Sequence, residues 1–318
     1  MRKNVRVVTC SDQRNRYFDR FSKEINIDDI NALMDHQYSR NSLLAMRKDW
    51  NLFSIFCHVK GVKALPASTT AVRLFLEKES KSRKYATIKR YAVTLSLVHR
   101  TLGCNDPTTS LSVQTLLSDL RVAKKNDASV TNQFTKDHLD ALSLKLESSA
   151  KVSDCRDLAI YHLMFECMLK RSELKQLLYS DVNITGDAVT ISLKEQHYSL
   201  GSQASAYVTK WLVLRGQHDG PLFTAIDRHG YLNDTPLDDS SIYRIMRSAS
   251  DKLRLDVKFS GQSLRVGAVN EMAKKGAKVQ EIQRAGRWVS AAMPYHYIGN
   301  KARSEEEKIV FKRFKPWD

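Results

Sequence analysis

The sequence predicts a mainly helical protein of two domains, the second of which carries a small β-sheet. Three observations predict it. Apolar residues recur at three- and four-residue steps through most of residues 27–125. A polar stretch, KKNDASVTNQ at 124–133, then breaks the rhythm. Beyond it, among further helical patterns, one alternating and β-branched run, DAVTISL at 187–193, reads as a strand. With 318 residues, 42% of them apolar, the chain can fill two cores, and the domains are expected at 1–128 and 129–318.

The elements follow in order. DDINALMDHQ (28–37) and SLLAMRKDWNLFSIFCHVKG (42–61) are helical by spacing, and Gly61 is a fitting stop for the second. STTAVRLFLEKESK (68–81) has Ser68 or Thr69 as its cap. YATIKRYAVTLSLVHRTLG (85–103) runs to Gly103, and LSVQTLLSDLRVAKK (111–125) closes the first domain. In the second, Thr135 is placed to cap KDHLDALSLKLE, with Phe134 and Leu139 as a hydrophobic staple. A single buried helix is expected over 155–179, then the strand, then a helix in SAYVTKWLVLRG (205–216). Helices at 239–254, 263–275 and 278–285 complete the set, the last two ending at Gly276 and Gly286.

Lys and Arg outnumber Asp and Glu by 51 to 35, a formal charge of +16, which attracts polyanions and points first to nucleic acid. The basic residues cluster. Arg40, Arg47 and Lys48 lie at helical spacing, and KSRKYATIKRY supplies Lys81, Arg83, Lys84, Lys89 and Arg90. Two such helices suit a duplex straddled at its phosphates. Five scattered cysteines without a CxxC pair, and histidines without metal-ligand spacing, give neither a disulfide framework nor a metal site. The N-terminus lacks an apolar core segment, and the most apolar run, 158–169, is short and holds His162 and Glu166. A soluble protein of a reducing cytoplasm is expected, with no membrane partner. Nothing reads as a phosphate loop, a dinucleotide fingerprint or a small-molecule site.

Three stretches of the second half hold groups suited to a phosphodiester. MLKRSELKQL (168–177) has two adjacent cations and Glu173, GQSLRVGAVNEMAKKG (261–276) has Arg265, and GRWVSAAMPYHYIGN (286–300) has Trp288 and two tyrosines. A phosphoryl group under displacement spreads charge over its equatorial oxygens, so fixed multidentate donors such as guanidinium are needed. A phenol, with a pKa of about 10, has to lose its proton to attack.

Together these stretches resemble the C-terminal signature of the tyrosine recombinases, the phage integrase family, and within it the Cre-like members. The family pattern is His-x-x-Arg, then Gly-Trp or Gly-His, then a tyrosine nine residues after that Trp or His; Arg265, Trp288 and Tyr297 match it. The similarity runs over roughly residues 25–310 and implies an N-terminal core-binding domain of SAM-like type ahead of an α+β catalytic domain. The resemblance makes Tyr297 the expected nucleophile, and because residues two apart on a helix face nearly opposite ways only one of the pair can face the phosphate, which leaves Tyr295 as packing.

The resemblance has departures. The upstream motif, Gly-Leu-Arg-Val/Ile-Ser-Glu-Leu, puts Lys170 at its arginine, with Arg171 as the competing cation and Glu173 at the acidic position. Gln262 replaces the histidine and cannot exchange a proton near neutral pH. His296 is adjacent to Tyr297 but directed elsewhere by that adjacency. The family's general-acid lysine lies on a β-hairpin, where Lys194 is the expected counterpart and His197 the alternative.

What the resemblance implies is a site-specific recombinase that cuts and rejoins duplex DNA at a particular target. The route is a 3′-phosphotyrosine and a Holliday junction, with four protomers on two sites and no cofactor. It also implies a bacterial, phage or plasmid-encoded protein working at the nucleoid. The alternative that the departures leave open is a DNA-binding protein with a degenerate, inactive site. SEEEKIVFKRFKPWD (304–318), with Ile309, Val310, Phe311 and Phe314, suits an amphipathic helix that docks on a neighbouring protomer or on its own domain.

Overall fold

The structure, a computed structural model, describes residues 5–127 and 131–313. The chain divides into two compact units, 1–129 and 130–318, and the expected boundary at 128/129 falls outside the described residues.

The first unit is helical: α1 (Ser11–Phe21), α2 (Ile27–Leu33), α3 (Arg40–Val59), α4 (Thr69–Ser80), α5 (Tyr85–Thr101) and α6 (Leu111–Ala123). Its core gathers Trp50 and Phe53 of α3, Phe75 of α4 and Leu95 of α5, all almost fully buried, and the Trp50 indole N–H donates to Phe21 O at 3.2 Å. Local chemistry sets the ends. Ser68 is the α4 cap, accepting from Ala71 N, while Gly61 and Gly103 take left-handed backbone just past α3 and α5. Two elements differ from expectation. Helix α1 is unexpected, since its apolar residues, the buried Phe21 and the partly buried Tyr17 and Phe18, are confined to its last turns, and α2 stops short where Asp35 and His36 turn left-handed.

The second unit starts with α7 (Lys136–Leu146), capped by Thr135, whose hydroxyl accepts from His138 N; Phe134 and Leu139 are both fully buried. Then follow α8 (Val152–Glu166) and α9 (Arg171–Gln176), and an antiparallel sheet of β1 (Val182–Thr185), β2 (Ala188–Leu193) and β3 (Gln196–Ser199) in that order. Helix α10 (Ser202–Arg215) packs on α8, β4 (Thr224–Ile226) pairs with β5 (Leu232–Pro236), and α11 (Asp239–Lys252), α12 (Gly261–Lys274), α13 (Val279–Ala285), α14 (Ala292–Tyr297) and α15 (Lys301–Arg313) complete it. The predicted strand is the middle one of its sheet. Val189, Ile191 and Leu193 point into the core as the alternation requires. Strands β1 and β5 are short and mostly exposed, while β3 alternates over only four residues and β4 spans three, too few for a signal.

The helix expected over 155–179 is broken. Helix α8 ends with Leu169 N–H donating to Met164 O and Met168 N–H to Phe165 O, a Schellman closure in which Met168 has φ 48°. Glycine usually fills that position. A methionine gives no warning, so the apolar run reads as continuous.

Helix α12 is seated against the segment that leads into α7. Phe134 N–H donates to Ser263 O at 3.1 Å, and a Cβ on Gly267 would lie 1.5 Å from Phe134 O. Only glycine allows that approach.

Candidate active site

The site forms where two helix ends meet. Helix α13 closes as α8 does: Trp288 N–H donates to Gln283 O and Arg287 N–H to Arg284 O, so the left-handed residue is Arg287, φ 55°, and not Gly286. Gly286 is glycine for another reason. The Trp288 ring occupies the place of its side chain, with Cζ3 1.8 Å from where a Cβ would stand.

Arg265, in the second turn of α12, is 6% exposed. One guanidinium nitrogen donates to Met168 O, the other to Gly286 O at 2.8 Å, and its Cζ lies 4.4 Å from the Trp288 ring centroid. It is therefore anchored at the carbonyl ends of α8 and α13, where the helix dipoles favour a cation. Among the described residues, these bonds occupy two of the five N–H donors a guanidinium carries. Burial and the neighbouring Arg287 charge pull its pKa down, and Glu173 opposes this.

Tyr297, at the last turn of α14, meets Trp288 edge-to-face at 5.7 Å, and its hydroxyl accepts from Gln262 Nε2 at 3.1 Å. Asn270 of α12 donates to Tyr297 O at 3.3 Å, tying the two helices together. Burial raises the phenol above its usual value, against the lowering effects of Gln262 and Arg265. The hydroxyl is thus held neutral and hydrogen-bonded beside a fixed cation. Pro294 is buried in the short helix, and His296 is exposed, its ring 5.8 Å from Tyr297.

Lys170 and Arg171 diverge. The Lys170 ammonium lies 3.3 Å from Glu173 Oε1, whereas the stem of Arg171 runs over the start of α12, its Cγ 2.9 Å from where a Gly261 Cβ would stand. Glu173 also accepts from the Lys170 N–H (2.8 Å) and from Arg287 Nε (3.3 Å) and Nη2 (2.7 Å). Lys194 stands at the β2–β3 turn with φ 57° and lines a hollow together with Glu173, Gln176, Asp181, Ser192 and Arg287. His197 is on β3, its Nδ1 3.1 Å from Ser192 Oγ. The structure therefore brings Arg265, Trp288, Tyr297 and Gln262 into one cluster, with Glu173, Lys170 and Lys194 on an adjoining flank joined to it by Arg287. Sequence reasoning missed Arg287 and Tyr198, whose hydroxyl donates to Ala285 O at 2.7 Å. A signal for Arg287 existed: the family pattern pairs glycine directly with the tryptophan, and here Arg287 stands between Gly286 and Trp288.

Burial alone would raise the Glu173 carboxyl, but the hydrogen bonds and charges of Arg287 and Lys170 bring it down to about 2 from an ordinary 4.5. The fold therefore holds it ionised where the unfolded chain takes up a proton. The stabilisation is complete above about pH 4.5 and drains away as pH falls towards about 2. Glu173→Gln is expected to lower the melting temperature at pH 7 and to flatten its fall across that window. Thermal melts from pH 7 to 2 check this, and equally steep curves for both proteins would refute it.

In the first unit, Arg40, Arg47 and Lys48 lie on α3, Lys81, Arg83 and Lys84 at the α4–α5 turn, and Lys89 and Arg90 on α5, all but Arg47 well exposed. Arg90 also donates to the buried Asp49 through Nε (3.0 Å) and Nη2 (2.8 Å), so it links the two basic helices. Among the described residues, no helix is long and apolar enough to cross a membrane, and no His, Cys, Asp and Glu group is arranged to hold a metal ion.

This geometry can be set beside known proteins. The profile of the phage integrase family matches residues 132–303, more than half of the chain. The chain belongs to that family. Curated relatives agree: it is 28% identical to an integrase/recombinase XerD homolog of Selenomonas ruminantium over 277 residues, covering 81% of each chain. It is 24% identical to the Cre recombinase of Escherichia phage P1 over 302 residues, 86% of each. Among solved structures, the XerH site-specific recombinase bound to a palindromic difH substrate has the same fold, with a TM-score of 0.62 at 12% identity, covering 98% of this chain and 91% of that one. A lambda integrase dimer bound to a core site gives 0.61 at 15%, covering 91% and 78%. For this member of the phage integrase family, the mainly helical architecture with small sheets is that of the fold family.

Proposed function

We propose that this protein is a site-specific DNA recombinase that cleaves and rejoins duplex DNA through Tyr297. The observation that carries the reading is the placement of the Tyr297 hydroxyl on Gln262 beside Trp288, with the anchored Arg265 guanidinium next to it. In the first step the Tyr297 phenol gives its proton to water, its oxygen bonds to the phosphorus and the bond to the 5′ oxygen breaks, leaving a 3′-phosphotyrosine. Arg265, with the Gln262 amide and the Trp288 indole N–H, offsets the charge gathering on the phosphoryl oxygens. The 5′ oxygen takes its proton from Lys194, or from His197, and Lys170 adds a point charge on that flank. The 5′ hydroxyl of a partner strand then reverses the step, and the bond energy is conserved in the ester. Four protomers on two target sites would carry the exchange through a Holliday junction, with the basic faces of α3 and α5 on the duplex.

The test is incubation with DNA flanking the protein's own gene, followed by denaturation in SDS. A protein–DNA adduct that survives SDS is the expected result. Tight binding to that DNA without any adduct would instead fit a DNA-binding protein with an inactive site, and tighter binding to RNA than to the duplex would remove both readings.

A further inference from the structure

Arg287 has no part in the chemistry above, yet it is the most connected side chain of the site. Its side chain is 11% exposed, and each of its three nitrogens is engaged. Nε and Nη2 take both oxygens of Glu173; Nη2 also reaches Met168 O at 3.0 Å; Nη1 serves Cys167 O at 3.0 Å, Ala285 O at 3.2 Å and the Tyr198 hydroxyl. With all donors committed to protein, it has none to offer a phosphate. What it does is join four segments: the end of α8, the start of α9, strand β3 and the end of α13. Met168 O receives Arg265 as well, so the two guanidiniums share an acceptor.

The backbone at Arg287 is left-handed, a conformation that is strained for an L-residue and that glycine would relieve. A side chain kept there against that strain has work to do elsewhere. Opposite it, Lys170 reaches Glu173 with one point charge and is half exposed, so it cannot grip both carboxylate oxygens in a plane.

We propose that Arg287 is a positioning residue for strand cleavage: by clamping Glu173 and the end of α8, it fixes the carbonyl on which Arg265 rests and compensates for a lysine at 170. The inference rests on the recombinase reading above. Its test uses the full chain as wild type, Arg287→Gly and the double variant Lys170→Arg with Arg287→Gly. The readouts are the single-turnover rate of adduct formation on a nicked duplex taken from the DNA flanking the protein's own gene, the affinity for that duplex, the melting temperature and the carboxyl titration of Glu173 by NMR.

Arg287→Gly should slow adduct formation by about 100-fold, as a displacement of around 1 Å does, while affinity stays within about three-fold, since the charge lost touches no phosphate. The Glu173 titration should move up from about 2. An arginine at 170, close to Glu173, should recover at least about ten-fold of the lost rate and bring the Glu173 titration back down with it, a joint recovery that a merely structural Arg287 would not permit. An unchanged rate in Arg287→Gly, or a double variant no faster than the single one, overturns the proposal. A wild type that forms no adduct fails the recombinase reading instead. The Glu173 titration then still decides whether Arg287 governs that carboxylate: an upward shift upholds the clamp and an unmoved value ends it.

Discussion

Tyr297→Phe is expected to abolish the covalent protein–DNA adduct, a fall of about 10⁴-fold or more, because it deletes the attacking oxygen and little else. Tyr295→Phe should form the adduct within about three-fold of wild type. The contrast follows from helix geometry. At about 100° per residue, positions 295 and 297 face nearly opposite sides of α14, and it is Tyr297 that meets Trp288 and Gln262. The phenylalanine ring can keep the edge-to-face packing on Trp288, so DNA affinity and melting temperature should hardly move. Denaturing gels of both variants on the same duplex decide the matter, and an adduct that persists in Tyr297→Phe while vanishing in Tyr295→Phe would reverse the assignment.

The second large effect is expected at Arg265. Arg265→Ala should reduce the single-turnover cleavage rate by about 10³-fold, with Arg265→Lys recovering only part of it. A fixed donor aimed at developing charge is worth about 10²–10³ in rate, and an ammonium lacks the planar fork. Affinity for the duplex should fall far less, since one phosphate contact among many is lost. Stability should also drop, by about 1–3 kcal/mol, because Gly286 O loses its donor, whereas Met168 O keeps Arg287 Nη2. Cleavage is therefore best measured well below the variant's melting temperature. A rate within about five-fold of wild type would show that the guanidinium is an architectural brace alone.

How legible all this was in the sequence depends on whether the signal was local. Ser68, Gly61 and Gly103 mark helix ends by chemistry that acts within a turn, and the structure has them in those roles. The run DAVTISL announces β2 because one of its faces is buried. By contrast β5 is exposed along its whole length, so no alternation betrays it. The break after Glu166 hides behind Met168, a residue type that does not announce a left-handed helix end, and the partners of its carbonyl, the guanidiniums of Arg265 and Arg287, are distant in sequence.

The same holds at the site. Spacing and family pattern picked out Arg265, Trp288 and Tyr297, and the fold gathers them, although spacing cannot say which neighbour each side chain grips. Whether Lys170 or Arg171 turns towards Glu173 depended on the course of the chain after α8, which the residues do not encode locally. Arg287 was visible only as an intrusion between Gly286 and Trp288, and its bonding through Cys167, Glu173 and Tyr198 required the third dimension. Phe314, expected in the amphipathic C-terminal helix, lies outside the described residues, while Ile309 and Val310 of α15 are about half exposed.

The seat of α12 on Phe134 has a practical consequence for anyone dissecting the protein. Trimming the chain ahead of that phenylalanine leaves the ring in its cavity and the amide on Ser263 O, so a truncated second half keeps the plug on which the Arg265 helix rests. Cutting one residue later would pull that plug, and a fragment begun at Thr135 would start life with a hole beside Phe165 and Phe259, against the helix that carries Arg265.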